Sequence, residues 1–189
     1  MNRKKIQAHE LALGAMCIAL SCVLALIRIT PMPQGGAITP VSMLPIMIFC
    51  YICGVKGLPG LIELIACLIR GALQFTIEPF FANFVQFSLD YILAFAALFL
   101  AGIFRDAKCK KTNTIMFGII LAILVKYILH VVSGIAFYAE YAPPGQNVLI
   151  YSLIYNWYVL AEGLLCIIVM LIPQLNKFVL DRRILTRGE

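Results

Sequence analysis

Residues 114–138 carry one formal charge, Lys126, and one histidine, His130, in an otherwise uncharged and mostly apolar run. A helix of that length that is apolar on every face needs either a large protein core or a bilayer around it, and a chain of 189 residues offers no such core. Roughly 20 mostly apolar residues suffice to cross the hydrocarbon layer. Five further apolar stretches, 7–29, 40–53, 58–75, 80–104 and 148–172, read the same way. The chain is 62% hydrophobic and 13% charged, against about 45–50% and about 25% in soluble domains. The fold class expected is an all-α membrane protein, a bundle of six transmembrane helices forming one integral membrane domain over residues 1–189, with no room for a soluble domain.

Proline and glycine punctuate the runs. Pro31, Pro33, Gly35 and Gly36 stop the first helix, because proline removes a donor and glycine relaxes the backbone. The second helix is short and is expected to carry Pro45 inside it. Basic residues follow the connections. Arg3, Lys4 and Lys5 precede the first helix and Lys56 lies between the second and third. Arg105, Lys108, Lys110 and Lys111 lie between the fourth and fifth, and a basic tail with Lys177, Arg182, Arg183 and Arg187 follows the sixth. These are twelve of the fifteen Lys and Arg; the opposite loops carry Glu78 and Glu140 and neither Lys nor Arg. Positive charge marks the cytoplasmic side. Both termini of a multi-pass chain are therefore expected on the cytoplasmic side of a cell membrane, and the net charge of +6 is a topology signal rather than a nucleic-acid footprint. The N-terminus resembles a signal peptide, but the apolar run 11–29 is too long for one and reads as a retained helix.

Ionisable groups at membrane depth are costly and mark function by default. Here they are Arg28, Glu63, Arg70, Asp90, Lys126, His130 and Glu162. Asp90 lies roughly ten residues into the fourth helix, about 15 Å deep. His130, Gly134 and Tyr138 share one face of the fifth helix at i, i+4, i+8. Tyr151, Tyr155 and Asn156 sit at a matching depth on the sixth. Each has an alternative reading: Asp90 pairs with Lys126 or Arg70, His130 is a core histidine, the tyrosines form an interfacial belt, and Gly134 is a packing residue. Taken together they suit a pocket for a small, flat, cationic heterocycle, in which a carboxylate balances the charge, aromatic faces stack and an amide reads the ring edge. Trp157, the only tryptophan, adjoins Asn156 and is expected to report binding by its fluorescence.

The sequence has no GxxxxGK[ST], HExxH or GxSxG pattern and no paired aspartates, so no catalytic residues, no cofactor and no nucleotide site of its own are expected. Cys50 and Cys53 form an isolated CxxC with no second pair and no histidine nearby in sequence, short of a closed zinc site, and no metal is expected.

Three segments carry a family resemblance: Pro33-Gln34-Gly35-Gly36-Ala37-Ile38 with Met43-Leu44-Pro45-Ile46; Gln86-Phe87-Ser88-Leu89-Asp90-Tyr91; and Lys126-Tyr127, His130, Ser133-Gly134, Phe137-Tyr138, Tyr141-Ala142-Pro143, Tyr151-Ser152-Leu153 and Tyr155-Asn156. In these segments the chain resembles the thiamine-specific S components of energy-coupling-factor transporters, the ThiT family. The resemblance implies a six-helix S-component fold that captures thiamine from outside and delivers it through a transmembrane coupling subunit served by two ABC-type ATPases. It implies that Asp90 faces the thiazolium charge with Tyr91 beside it, that His130, Gly134, Tyr138 and Tyr151 contact the ligand, and that Asn156 reads the aminopyrimidine edge. Gly36, Phe80 and Phe137 are further candidates for ligand contact or for the gate. Some relatives place glutamate at the position of Asp90 and tryptophan at that of Tyr138, and a tryptophan of the first loop is absent near Gly36. On the first helix Ala15 and Ala19 match the small-residue face that docks on the coupling subunit; internal packing is the alternative. An S component for another vitamin and a self-sufficient carrier are the rival readings.

Overall fold

A computed structural model describes residues 8–33, 35–107 and 114–187, with side chains as far as Arg183. Arg3, Lys4, Lys5, Gln34, Lys108, Cys109, Lys110 and Lys111 lie outside the described residues, as does the side chain of Arg187. The helices are α1 (Ala8–Leu26), α2 (Leu44–Cys53), α3 (Gly57–Ile77), α4 (Phe84–Gly102), α5 (Thr114–Phe137), α6 (Val148–Met170) and α7 (Pro173–Arg187). Among the described residues, five of them, α1 and α3 to α6, are long and apolar enough to cross a membrane. Their outward residues are themselves apolar, as Met16, Leu20, Ile128 and Leu164 show, so the surface that water would penalise is one that lipid solvates.

The second expected span is a shorter object. α2 has ten residues, nine of them buried. At ~1.5 Å per residue it covers about half of a ~30 Å hydrocarbon layer. It persists because α1, α3, α4 and α7 pack around it, and non-helical backbone at membrane depth is tolerated where protein encloses it. Pro45 occupies the first turn rather than the interior, where its missing N–H has no helical acceptor to lose. At this end of α2, Glu162 of α6 accepts hydrogen bonds from Ser42 Oγ (2.8 Å) and Met43 N (3.3 Å), placing a carboxylate at a helix N-terminus.

Other boundaries move for local reasons. The fourth helix begins at Phe84 rather than residue 80, because the Asn83 side chain accepts from the backbone N–H groups of Val85 and Gln86, the bonding of an N-cap. α1 stops at Leu26, and beyond it β1 (Thr30–Pro31) pairs antiparallel with β2 (Ala37–Ile38). α6 breaks at Asn156 between Val148–Tyr155 and Trp157–Met170. The expected basic tail is helical, held by buried Val179 and by Arg183 Nη1 donating to Tyr51 Oη at 2.9 Å.

The interior cations are not bonded to Asp90. Arg70 donates to Ser21 Oγ (2.6 Å) and Gln74 Oε1 (2.8 Å). Lys126 lies 3.7 Å from the centroid of the Phe95 ring, a cation–π contact. Arg28 pairs with Glu78 where α1 and α3 end.

Candidate ligand-binding site

α3, α4, α5 and α6 and the 35–43 segment line a cavity with about 900 Å³ of empty space, open solvent at its mouth included. Its anionic wall comes from α4. That helix widens into π-helical turns at Ser88–Leu93, a distortion that recurs at functional sites, and Asp90 sits within them. Asp90 Oδ2 accepts from Gln86 Nε2 (2.7 Å) and Tyr138 Oη (3.2 Å), and Oδ1 lies 3.2 Å from His130 Nδ1. Among the described residues, no Lys or Arg stands within ion-pairing distance of Asp90. The two structural pairings open on sequence grounds, to Lys126 and to Arg70, are thus absent.

Aromatic rings form the adjoining walls. Tyr138 lies one residue beyond the end of α5 and stacks on Phe80, with centroids 5.2 Å apart and planes 28° from parallel. Tyr151, Tyr155 and Tyr158 contribute from α6. The α5–α6 seam is close because Gly134 has no side chain: a Cβ there would fall on Ser152 Oγ. Ser152 Oγ donates to Val131 O at 2.9 Å, and Asn156 Nδ2 donates to His130 O at 3.3 Å, so Asn156 joins the two helices at the point where α6 breaks. Gly36 lies just before β2 at φ +86°, its Cα against the Tyr158 ring, and Tyr155 Oη donates to Gly35 O at 3.0 Å. The 35–39 segment is tied to α6 across the cavity in this way.

The structure brings Asp90, Tyr91, His130, Gly134, Tyr138, Tyr151 and Asn156 to this cavity, together with Gly36 and Phe80. Tyr91 also has a local task, since its hydroxyl bonds to Glu78 O (2.7 Å) and accepts from Phe80 N (3.2 Å), fixing the 78–80 loop. Phe137 is outside the lining, because neighbouring residues on a helix point in different directions. Trp157 is 48% exposed while its neighbour Asn156 is buried; the only tryptophan faces away from the cavity it was expected to report on. Ala15 and Ala19 are exposed on α1 and border a shallow apolar groove with Leu73 and Ile77 of α3. The packing face of α1 is instead that of Gly14, Ser21 and Ala25. Sequence reasoning named Gln86 only within a family segment and gave it no site role, yet it is fully buried; its place four residues before Asp90 on one helix was the available signal.

A bundle of apolar helices around a polar, aromatic-walled chamber defines a membrane protein built to hold a small solute. The chain belongs to the family described as thiamine transporter protein (Thia_YuaJ), whose pattern matches residues 11–181. It is 33% identical over 195 aligned positions to the thiamine transporter ThiT of Bacillus subtilis, covering 94% of this chain and 98% of that one. It is 37% identical over 83 positions to the thiamine transporter ThiT of Lacticaseibacillus paracasei, covering 39% and 41% of the two chains. The fold is similar to that of ThiT from Listeria monocytogenes, with a TM-score of 0.69 at 23% identity over 88% of this chain and 96% of that one.

Proposed function

We propose that the cavity is a thiamine site and that this chain is the substrate-capture subunit of an energy-coupling-factor importer. The observation that carries the reading is Asp90, a carboxylate on the cavity wall held by Gln86, Tyr138 and His130 and left without a lysine or arginine partner among the described residues. A fixed cationic ring supplies the missing countercharge where the low dielectric makes it most valuable. The tyrosine and phenylalanine faces sandwich that ring, and the Asn156 amide offers hydrogen bonds to the edge of the second heterocycle. Glu162 also lines the cavity, but its Oε1 is engaged by Ser42 Oγ and Met43 N at the N-terminus of α2.

In this reading the chain is one domain with six membrane helices counting α2, both termini are cytoplasmic, and the cavity opens outward. The 35–39 segment closes over thiamine. The exposed Ala15 and Ala19 face docks on a transmembrane coupling subunit, and two ABC-type ATPases on the partner side hydrolyse ATP. The chain carries out no catalysis and needs no cofactor. Titration of the purified protein with thiamine, riboflavin and biotin tests the ligand: thiamine binds and the other two do not. Uptake in cells tests the coupling. Ala19→Trp leaves binding by the purified subunit intact and abolishes uptake, whereas a self-sufficient carrier keeps transporting after the host's coupling subunit is deleted.

A further inference from the structure

Gln86 is fully buried, and its side-chain amide bonds to Ala82, Asp90 and Tyr138 at the anionic wall of the cavity. Its Oε1 accepts from Ala82 N at 3.1 Å, which fixes which way the amide faces. With the oxygen so committed, Nε2 is directed at Asp90 Oδ2 (2.7 Å) and Tyr138 Oη (3.1 Å). The Tyr138 hydroxyl accepts from Gln86 and donates to the same Oδ2. Three side chains, two on α4 and one just beyond the end of α5, thus close a ring of hydrogen bonds whose directions the Ala82 N–H sets. The ring leaves Oδ1 of Asp90 toward His130.

From this geometry we infer that Gln86 is a positioning residue that locks the Asp90 carboxylate and the Tyr138 ring in one arrangement and thereby sets the preference of the cavity for a cationic over a neutral ring. The inference rests on reading the cavity as a thiamine site. Two physical points support it. A buried carboxylate without a fixed donor turns about its side-chain bonds, and an attraction that depends on distance and orientation is averaged down. The Tyr138 ring is pinned on one side by Phe80 and at its hydroxyl by Gln86, so the stacking wall and the charge are aligned by the same amide.

The experiment measures the affinity of the purified full chain for thiamine and for an analogue carrying a neutral thiophene ring in place of the thiazolium. Gln86→Met keeps the length and loses both hydrogen-bonding ends. Gln86→Asn keeps the amide but is too short to bridge Ala82 and Asp90. In each, thiamine binding weakens by about ten- to hundredfold, the scale of a hydrogen bond to a charged group, while binding of the neutral analogue changes by less than about threefold, so the ratio between the two ligands collapses. In the Asp90→Asn background, Gln86→Asn adds no further loss of that ratio, which a merely structural role would not predict. A preserved ratio in either folded variant, or equal losses for both ligands, overturns the assignment. Failure of the unaltered chain to bind thiamine overturns the reading of the cavity, and this assignment with it.

Discussion

Asp90 of α4 and His130 of α5 meet across the helix seam with Oδ1 and Nδ1 3.2 Å apart, both largely enclosed. This contact makes the imidazole a neighbour of the carboxylate without supplying the permanent positive charge that Lys or Arg would. Asp90→Asn removes a carboxylate that has no Lys or Arg partner among the described residues and keeps the shape of the cavity. Thiamine affinity is expected to fall by about 2–5 kcal/mol, thirtyfold or more, as for loss of a buried charge partner. Glu162→Gln, whose oxygen is engaged by Ser42 and Met43, is expected to change it less than about threefold while lowering thermal stability through α2. Calorimetric titration of both variants checks this; equal losses would mean that the charge lies elsewhere than on α4.

Gly134→Ala tests the α5–α6 seam. The added Cβ falls on Ser152 Oγ, which is buried and bonded to Val131 O. The helices are expected to separate slightly, at a cost of about 1–3 kcal/mol for overpacking. A lower melting temperature should appear together with weaker thiamine binding, since Asn156 and His130 ride on the same seam. An unchanged melting temperature would show the seam to be compliant.

Much of this was legible from residue types. Asp90, His130, Tyr138 and Asn156 stood out because charge, amide and aromatic rings at membrane depth have no reason to be there without a partner. Their meeting in space was not legible, because spacing along one helix says nothing about which helices touch. Boundaries failed where side chains act on the backbone: Asn83 caps α4 and Asn156 interrupts α6, and neither alters hydropathy. The shortness of α2, ten residues with nine buried, was not legible because apolar content does not distinguish a helix enclosed by protein from one facing lipid. Gln86, named only as part of a family segment, was given no role because its importance depends on Ala82 holding its oxygen and Tyr138 arriving from the end of α5.

The fluorescence expectation reverses. Trp157 lies 48% exposed on α6, outside the cavity lining. Thiamine is therefore expected to leave the emission of the unaltered chain nearly unchanged. Tyr138→Trp in a Trp157→Phe background puts the only indole against Phe80 and the cavity, and thiamine should then quench most of its emission by stacking. Strong quenching in the unaltered chain with none in the relocated one would place the ligand on the lipid-facing side of α6.

Tyr155 and Gly36 test whether the 35–39 segment is the lid. Tyr155→Phe removes the hydroxyl that donates to Gly35 O at 3.0 Å and leaves the ring in place. A neutral hydrogen bond contributes about 0.5–1.5 kcal/mol net, so thiamine should dissociate roughly two- to tenfold faster. Association should change little, because the open mouth is the same in both proteins. Gly36→Ala acts twice: a side chain at φ +86° is strained by roughly 1–2 kcal/mol, and its Cβ would run into the Tyr158 ring. The closed segment should be disfavoured more strongly than in Tyr155→Phe, with a larger rise in the off-rate and a measurable loss of affinity. Stopped-flow displacement of bound thiamine separates the two rates. If both variants release ligand at the unaltered rate, the 35–39 segment is a fixed wall and exit lies elsewhere, most directly past the Phe80 and Tyr138 rings.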